Sequence, residues 1–190
     1  MAKVVKRGKL LEKEVKKKIR ADDKIFLLNI GLLILGIVGF AMWETPILFL
    51  VWVVYRIAVN RKWKRAMNEV SVARAGLAGE RMTEDVLKSL PNNYFIFSDF
   101  SVEAKGKESQ IDHALVGPTG IFVIETKYWS GDIIDGDSPD QVIQVHRHGG
   151  NIPHYHPSKQ VGTHVYRLSR FLKDRGIHEW VNGCVYFSHE

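Results

Sequence analysis

The chain has 190 residues, with 27 Lys and Arg against 21 Asp and Glu, which gives a formal net charge of +6. This length leaves room for one ordinary domain and an appendage. The single cysteine, Cys184, excludes an intrachain disulfide, and because it lies in an apolar run we expect a buried thiol. A free buried thiol fits a reducing compartment.

The positive charge is concentrated in the N-terminal part of the chain. Residues 1–24 carry ten Lys or Arg and four Asp or Glu, and residues 56–74 carry six against one. Residues 75–190 carry eleven against fifteen, a net charge of −4, and they hold all eight histidines. The basic composition therefore does not indicate a nucleic-acid groove in the C-terminal part.

Two apolar stretches follow a basic leader. Residues 1–20 of the leader are open to two interpretations, a short helix on anionic lipid headgroups or a solvated tail. Ile25–Trp43 contains nineteen residues without a charge, which as a helix match the thickness of a hydrocarbon core. Ile47–Val59 is shorter and is interrupted by Arg56, whose long side chain could reach the membrane interface.

Basic residues lie on both sides of these apolar stretches, and basic flanks favour the cytoplasmic side of a membrane. Two spans would place both flanks there and leave only Glu44 at the turn, where Thr45 and Pro46 suit the start of a second helix. We therefore predict a transmembrane helical hairpin over 25–59 in the cell membrane, with the lipid bilayer as a partner and the C-terminal domain in the cytoplasm. A pair of core helices in a soluble protein is the alternative.

The pattern from Asn60 to Leu90 is helical. Its basic first half is predicted to be a juxtamembrane helix or linker, and the small residues from Ala75 to Gly79 are expected to break the helix or to allow close packing. Glu80 borders the apolar face of this helix, where a glutamate is ordinarily a solvated rim residue. The predicted organisation is a basic cytoplasmic segment over 1–24, the hairpin over 25–59, the linker over 60–74 and a domain over 75–190.

A β-hairpin is predicted in the middle of this domain. Tyr94–Phe100 precedes it as a strand, and Val102–Ser109 is predicted to be a polar loop or ribbon. Two runs rich in β-branched residues, Ile111–Val116 and Ile121–Lys127, then flank the Gly and Pro residues of 117–120. This pattern predicts two strands joined by a four-residue loop.

Short segments and one long helix follow the hairpin. Asp132–Ile134 and Gln141–His146 lie between turn residues. A helix over Pro157–Arg175, ending at Gly176, and a strand over Trp180–Phe187 complete an α/β domain with a mixed sheet. The histidines of the loop before this helix are expected to have a structural or incidental role, with Zn²⁺ binding as the alternative. They are His146, His148, His154 and His156.

The hairpin register brings two carboxylates together. If Val116 pairs with Ile121, then Asp112 lies opposite Glu125, with Cβ atoms about 4.5–5.5 Å apart. Facing carboxylates repel each other unless a cation lies between them, and either Lys127 or a divalent metal could serve. The three charged residues therefore fit metal-assisted hydrolysis of a phosphodiester. The alternative is a salt-bridge cluster on a solvated strand face.

Several spaced motifs resemble those of the nuclease-related domain (NERD) family, which is placed in the PD-(D/E)xK nuclease superfamily. The motifs are Gly79-Glu80, Gln110-Ile111-Asp112-His113, Gly120-Ile121-Phe122-Val123-Ile124-Glu125-Thr126-Lys127 and Ser130-Gly131. The resemblance covers about Ala75 to Ser188 and implies a restriction-endonuclease-like, three-layer α/β core. One departure is Ile111, which stands where the superfamily name has a proline that is not a ligand.

The resemblance implies a Mg²⁺- or Mn²⁺-dependent nuclease that acts on nucleic acid, expected to be DNA. Asp112, Glu125 and Glu80 would hold the metal. Lys127 would orient the attacking water, and Gln160, which follows a His-Pro turn where the family has an Asn-Pro-like turn, would position water or phosphate. An inactive, membrane-tethered binding module of the same fold is the alternative, and a structural membrane hairpin with an assembly domain is a third possibility.

Overall fold

The chain divides into two units in the computed structural model. One unit, which we call the sheet unit, consists of Met1–Leu10 and Ala75–Glu190, and the other, the helical unit, is Leu11–Arg74. The sheet unit is therefore discontinuous in sequence, with the helical unit inserted into it. The residues that the structure describes are 1–41, 46–146 and 149–189.

Two long helices run through the helical unit, α1 (Leu10–Ala41) and α2 (Pro46–Lys88). Their apolar halves lie side by side in antiparallel directions. Trp52 Nε1 donates to the carbonyl oxygen of Leu32 at 2.8 Å, and one turn further along α2 the Arg56 guanidinium donates to the side chain of Asn29. These two bonds fix the register of the helices within this unit.

The predicted transmembrane hairpin is not supported. Among the residues that the structure describes, no helix combines the length and apolarity needed to cross a membrane. The helices also do not begin and end with the apolar stretches. α1 starts in the basic leader and α2 continues through the predicted linker, because Lys, Arg and Glu are good helix formers and propagation adds one hydrogen bond per residue. The predicted turn at Glu44 and Thr45 lies outside the described residues.

Residues 3–7 form a strand, which neither interpretation of residues 1–20 predicted. β1 (Lys3–Arg7) pairs in parallel with β2 (Phe95–Ala104). Ala2 is buried in the adjoining core, and its N–H donates to the carbonyl oxygen of Lys88 at 3.1 Å. The pairing with β2 satisfies backbone N–H and C=O groups that an unpaired extended segment would leave to water.

Asp99 connects β2 to the start of α1. Its φ of 51° lies in the left-handed region that few residues other than glycine adopt. Its Oδ2 accepts the N–H of Leu10 at 2.6 Å, which caps the helix, and its Oδ1 accepts from Gln110 Nε2 at 2.9 Å. The N–H of Gly8 donates to the carbonyl oxygen of Ser98 at 2.8 Å, so the chain between β1 and α1 is held closely against β2.

Gly8→Ala is expected to lower the melting temperature of the protein. A Cβ at Gly8 would collide with the carbonyl oxygen of Asp99, a backbone atom that cannot move without disturbing β2. Overpacking of this kind costs about 1–3 kcal/mol or more. Gly76→Ala is the matched control, because nothing lies within 4 Å of a Cβ there, and alanine is the better helix former by about 1 kcal/mol. Equal melting temperatures for the two variants would contradict the position of the N-terminal segment.

The remaining elements of the sheet unit are β3 (Lys107–Gly117), β4 (Gly120–Lys127), β5 (Asp132–Asp135), β6 (Gln141–Val145), β7 (Ile152–Tyr155), α3 (Pro157–Lys173) and β8 (Val181–Phe187). Five strands form the main sheet, in the order β1-β2-β3-β4-β8. The pairs β1–β2 and β4–β8 are parallel, and the pairs β2–β3 and β3–β4 are antiparallel. The predicted mixed α/β sheet is therefore confirmed.

The segment Val102–Ser109, predicted to be a loop or ribbon, is the tip of a β-hairpin. β2 continues to Ala104, β3 begins at Lys107, and the residues between them, Lys105 and Gly106, have φ values of 53° and 69°. Two successive positive φ values are typical of the type I′ turn, whose twist matches that of paired strands. Because the residues at this tip are mostly polar, they lack the run of apolar residues that predicts a strand.

The predicted register of the β3–β4 hairpin is confirmed. Val116 pairs with Ile121, and every other pair of the ladder follows from that one. The strands extend to Gly117 and Gly120, so the connecting turn has two residues between them rather than the predicted four. Within the ladder, each residue of β4 therefore lies opposite the β3 residue that was predicted to be its partner.

Helices cover both faces of the main sheet. One apolar cluster contains Val123 and, from α3, Val161. The other contains Ile124, with Leu87 of α2 packed against it. Because Val123 and Ile124 are successive residues of β4, they point to opposite faces. The sheet unit thus has three layers, with α3 on one side of the sheet and the C-terminal end of α2 on the other.

Cys184 is exposed, so the prediction of a buried thiol was wrong. It lies in β8, which is an edge strand of the main sheet and has only β4 beside it. An apolar run indicates a strand, but the run does not indicate whether the strand lies at the centre or the edge of the sheet.

Candidate active site

Three elements bring most of the predicted catalytic side chains together. Asp112 lies on β3, Glu125 and Lys127 lie on β4, and Gln160 lies near the start of α3. Lys127 Nζ donates to Glu125 Oε1 at 2.8 Å and to Gln160 Oε1 at 2.9 Å. The lysine thereby connects the sheet to the helix that covers it.

The ladder between β3 and β4 ends one pair before Asp112. Its last pair is His113 with Ile124, and beyond it Asp112 Oδ2 accepts the backbone N–H of Thr126 at 2.9 Å. Burial, together with the nearby negative charge of Glu125, raises the pKa of Asp112 to about 7. The two carboxylates are therefore close enough for their charges to interact.

Glu125 lies in a different electrostatic environment, although it is only 3% exposed. Burial by itself would raise the pKa of Glu125, but hydrogen bonds from His164 and Lys127, together with the charge of Lys127, outweigh burial and hold the pKa below its usual value. The Oε2 atom lies 3.2 Å from His164 Nε2. Glu125 is therefore the carboxylate that stays ionised, and Asp112 is the one that resists ionisation.

This donor set fits a divalent cation. Each oxygen of an ionised carboxylate has two lone pairs, so Asp112 and Glu125 keep acceptor capacity beyond their hydrogen bonds within the protein. A cation beside them would relieve the repulsion that raises the pKa of Asp112. Mg²⁺ is commonly held by one or two carboxylates together with water and substrate phosphate.

The predicted set of three metal carboxylates is not found. Within 1–41, 46–146 and 149–189, no group of three or more His, Cys, Asp or Glu side chains is placed to hold a metal. Glu80 lies on α2, which covers the opposite face of the sheet from α3. Its neighbour Gly79 packs against Tyr128, and Thr83 Oγ1 accepts from Thr126 Oγ1 at 3.0 Å. The sheet therefore separates the helix that carries Glu80 from the helix that carries Gln160.

His164 is a residue of the site that was not assigned a function from the sequence. It follows Gln160 by four residues, which places both side chains on one face of α3, and this spacing was the available signal. His164 is 9% exposed, and it contacts Glu125 and Ser109. A lone histidine on the apolar face of a helix gives no indication of which charged group it will meet across the core.

A second, smaller sheet lies beside the site, in the order β5-β6-β7. His154 of β7 stacks on Trp129, with ring centroids 4.1 Å apart, and Lys127 Nζ lies 5.6 Å from the centroid of the same indole. His154 Nε2 is also 2.9 Å from Gln144 Oε1. Burial and the positive charges of Lys127 and His146 lower the pKa of His154, which keeps the ring neutral.

The histidine-rich loop has structural contacts in the part of the chain that the structure describes. His156 is the N-cap of α3, where its ring Nδ1 accepts the N–H of Ser158 at 3.2 Å. The ring nitrogen thus satisfies one of the N–H groups left free at the start of the helix. His148 lies outside the described residues.

Comparison with known proteins finds a family match that covers the residues of this site. The family model described as the nuclease-related domain matches residues 75–188. A protein of Bacillus anthracis described only as uncharacterised is 38% identical over 58 residues, which is 30% of this chain and 27% of that protein. This chain therefore spans about a quarter of the length of the curated relative that it matches. No solved structure matches.

Proposed function

Because this chain belongs to the nuclease-related domain family, we propose that its sheet unit is a divalent-metal-dependent phosphodiesterase that cleaves nucleic acid, with DNA as the substrate. The observation that carries the proposal is the position of Lys127 Nζ between Glu125 and Gln160, beside the second carboxylate, Asp112. A solvated salt-bridge cluster does not fit, because Glu125 is almost fully buried and the lysine side chain is only 17% exposed.

Each residue has a distinct role in the proposed reaction. Asp112 and Glu125 would hold Mg²⁺ or Mn²⁺, and Glu80, on the helix that covers the opposite face of the sheet, is not assigned to the metal. When bound, Mg²⁺ supplies Lewis-acid polarisation of a phosphate oxygen. Lys127 donates hydrogen bonds that orient the attacking water, and its charge stabilises the negative charge that develops on the phosphoryl group. Gln160 holds the ammonium group of Lys127 in place through its carbonyl oxygen.

The charge of residues 75–190 favours a second candidate function, a binding module that has the same fold but does not catalyse a reaction. Nucleic-acid affinity depends largely on Lys and Arg that neutralise phosphates, and this region has a net charge of −4. An inactive module would have no need for a bound metal. Metal binding and cleavage together therefore discriminate between the two functions.

Cleavage by the full chain tests the proposal. Labelled single-stranded DNA, duplex DNA and RNA are incubated with the protein in Mg²⁺, Mn²⁺ or EDTA, and we expect cleavage of DNA that requires metal. Glu125→Gln should remove this activity. Glu84→Gln is the matched control and should keep it, because Glu84 is also a buried glutamate paired with a lysine, Lys88, at 2.9 Å, but lies outside the site. If the wild-type chain neither cleaves a substrate nor binds metal, the binding module replaces the nuclease.

A further inference from the structure

A chain of hydrogen bonds leads from α3 through β3 to Glu125. Arg167 Nη1 donates to Ser109 Oγ, and also to the carbonyl oxygen of Glu108 at 2.8 Å. Ser109 Oγ lies 3.0 Å from His164 Nδ1, and His164 Nε2 lies 3.2 Å from Glu125 Oε2. The side chains of Ser109, His164 and Glu125 are all buried, so water does not compete for the bonds between them.

The direction of every bond in this chain follows from the chemistry of its members. A guanidinium group only donates, so Ser109 Oγ accepts from Arg167 and keeps its own proton to donate. An ionised carboxylate only accepts, so His164 Nε2 must carry the proton that faces Glu125. His164 Nδ1 then accepts from the hydroxyl of Ser109. All donors and acceptors are matched when the imidazole is neutral with its proton on Nε2.

The hydrogen-bonded series that ends at His164 fixes Oε2 of Glu125, and Lys127 fixes Oε1. A carboxylate held at both oxygens cannot rotate about its last bond, so its remaining lone pairs have set directions. Partners of this kind determine how well a carboxylate holds a metal, and their removal typically costs 10–100-fold in metal affinity. The same constraint would be lost if the histidine adopted its other tautomer.

We infer that His164 is a positioning residue for Glu125, and that Arg167 and Ser109 hold it in the tautomer with the proton on Nε2. His164 acts only through the carboxylate and does not touch substrate. The inference rests on the proposed function, since the orientation of Glu125 matters only if Glu125 binds a metal.

Two amide variants separate the roles of the two ring nitrogens. The side-chain nitrogen of His164→Gln lies near the place of Nε2 and can still donate to Glu125, whereas that of His164→Asn lies near Nδ1 and cannot reach the carboxylate. Binding of Mn²⁺ is measured on the full chain by the electron paramagnetic resonance of free Mn²⁺. We expect His164→Asn to weaken Mn²⁺ binding by about 10–100-fold, and His164→Gln to stay within about threefold of the wild type.

The outcomes distinguish this inference from the proposed function. A wild-type chain that binds no Mn²⁺ would overturn both. If the wild type binds Mn²⁺ and His164→Asn binds it equally well, only the positioning role is overturned. Equal weakening in both variants, with equal losses of melting temperature, would mean that His164 merely packs the core. Should His164→Asn fail to fold, Ser109→Ala provides the same test, because it removes the donor to Nδ1 and should also weaken Mn²⁺ binding.

Discussion

Asp112→Asn is expected to abolish metal-dependent cleavage and, in EDTA at pH 8, to raise the stability of the protein. The pKa of Asp112 is raised from 3.8 to about 7, chiefly by burial and by the charge of Glu125. Between these pH values the folded protein holds a proton that the unfolded chain has released. The free energy of unfolding therefore falls by about 1.4 kcal/mol per pH unit as the pH rises through this window.

An asparagine cannot ionise, so the variant should not lose this stability. Its side-chain oxygen can still accept the N–H of Thr126, which Asp112 accepts at 2.9 Å. Glu125 does not obscure the result. Its pKa is lowered from 4.5, so its contribution is present above that pH and is lost only as the pH falls further. The asparagine can no longer supply an anionic ligand, so Mn²⁺ binding and cleavage should disappear together.

Urea unfolding in EDTA at pH 5.5 and pH 8 measures the change. Relative to Asp112→Asn, the wild type should lose stability between pH 5.5 and pH 8. The lowered pKa of His154 acts in the opposite direction but equally in both proteins, so it cancels in the comparison. Asp140→Asn is the control, because Asp140 forms an exposed pair with Lys159 at 3.4 Å, and such pairs contribute about 0–1 kcal/mol. A loss of more than about 1 kcal/mol for Asp112→Asn at pH 8 would instead identify Asp112 as a member of a structural ion pair.

Lys127→Ala is expected to reduce turnover by about 10²–10³-fold, the usual cost of removing one group that stabilises charge in a transition state. Binding of Mn²⁺ should weaken by no more than about 10–100-fold, the cost of losing one partner of Glu125, because Lys127 is a cation and cannot be a ligand, and Glu125 keeps its contact with His164. Lys127→Arg should not restore turnover. A guanidinium group is wider than an ammonium group, and the space for it is bounded by Glu125 and Gln160.

Single-turnover cleavage at saturating Mn²⁺ separates this effect from metal affinity. Lys159→Ala is the matched control, since it removes a lysine at the start of α3 that is half exposed and pairs with Asp140. This variant should cleave at the wild-type rate. If Lys127→Ala loses Mn²⁺ binding as completely as Asp112→Asn, the lysine serves to hold Glu125 rather than to act on the phosphoryl group.

Local patterns were sufficient to predict the hairpin that carries the candidate site. The two strands and their turn lie within about twenty residues, so the position of the turn determines which residues face each other. Gln160 could be found for the same reason, because the His-Pro turn and the helix that follows it are adjacent in sequence. Once the turn is placed, the pairing of Val116 with Ile121 follows from the number of residues between them.

Features that depend on distant parts of the chain could not be predicted. The exposure of Cys184 depends on β8 lying at the edge of the sheet, and the position of Glu80 depends on which face α2 covers. The contact between His164 and Glu125 crosses from a helix to a strand about forty residues earlier. The sequence pattern of a single helix or strand does not indicate where that element lies in the sheet or which distant residues it contacts.

The strand β1 is synthesised long before β2, the strand with which it pairs. Lys3 lies opposite Phe95, so about 90 residues separate the partners. At about 5–20 residues per second, the ribosome releases β1 several seconds before β2 exists. During that interval the unpaired strand is open to association with other chains, which its basic composition opposes. A shortened protein that begins at Ala75 would contain the whole family match and would still leave the β2 edge without its neighbour.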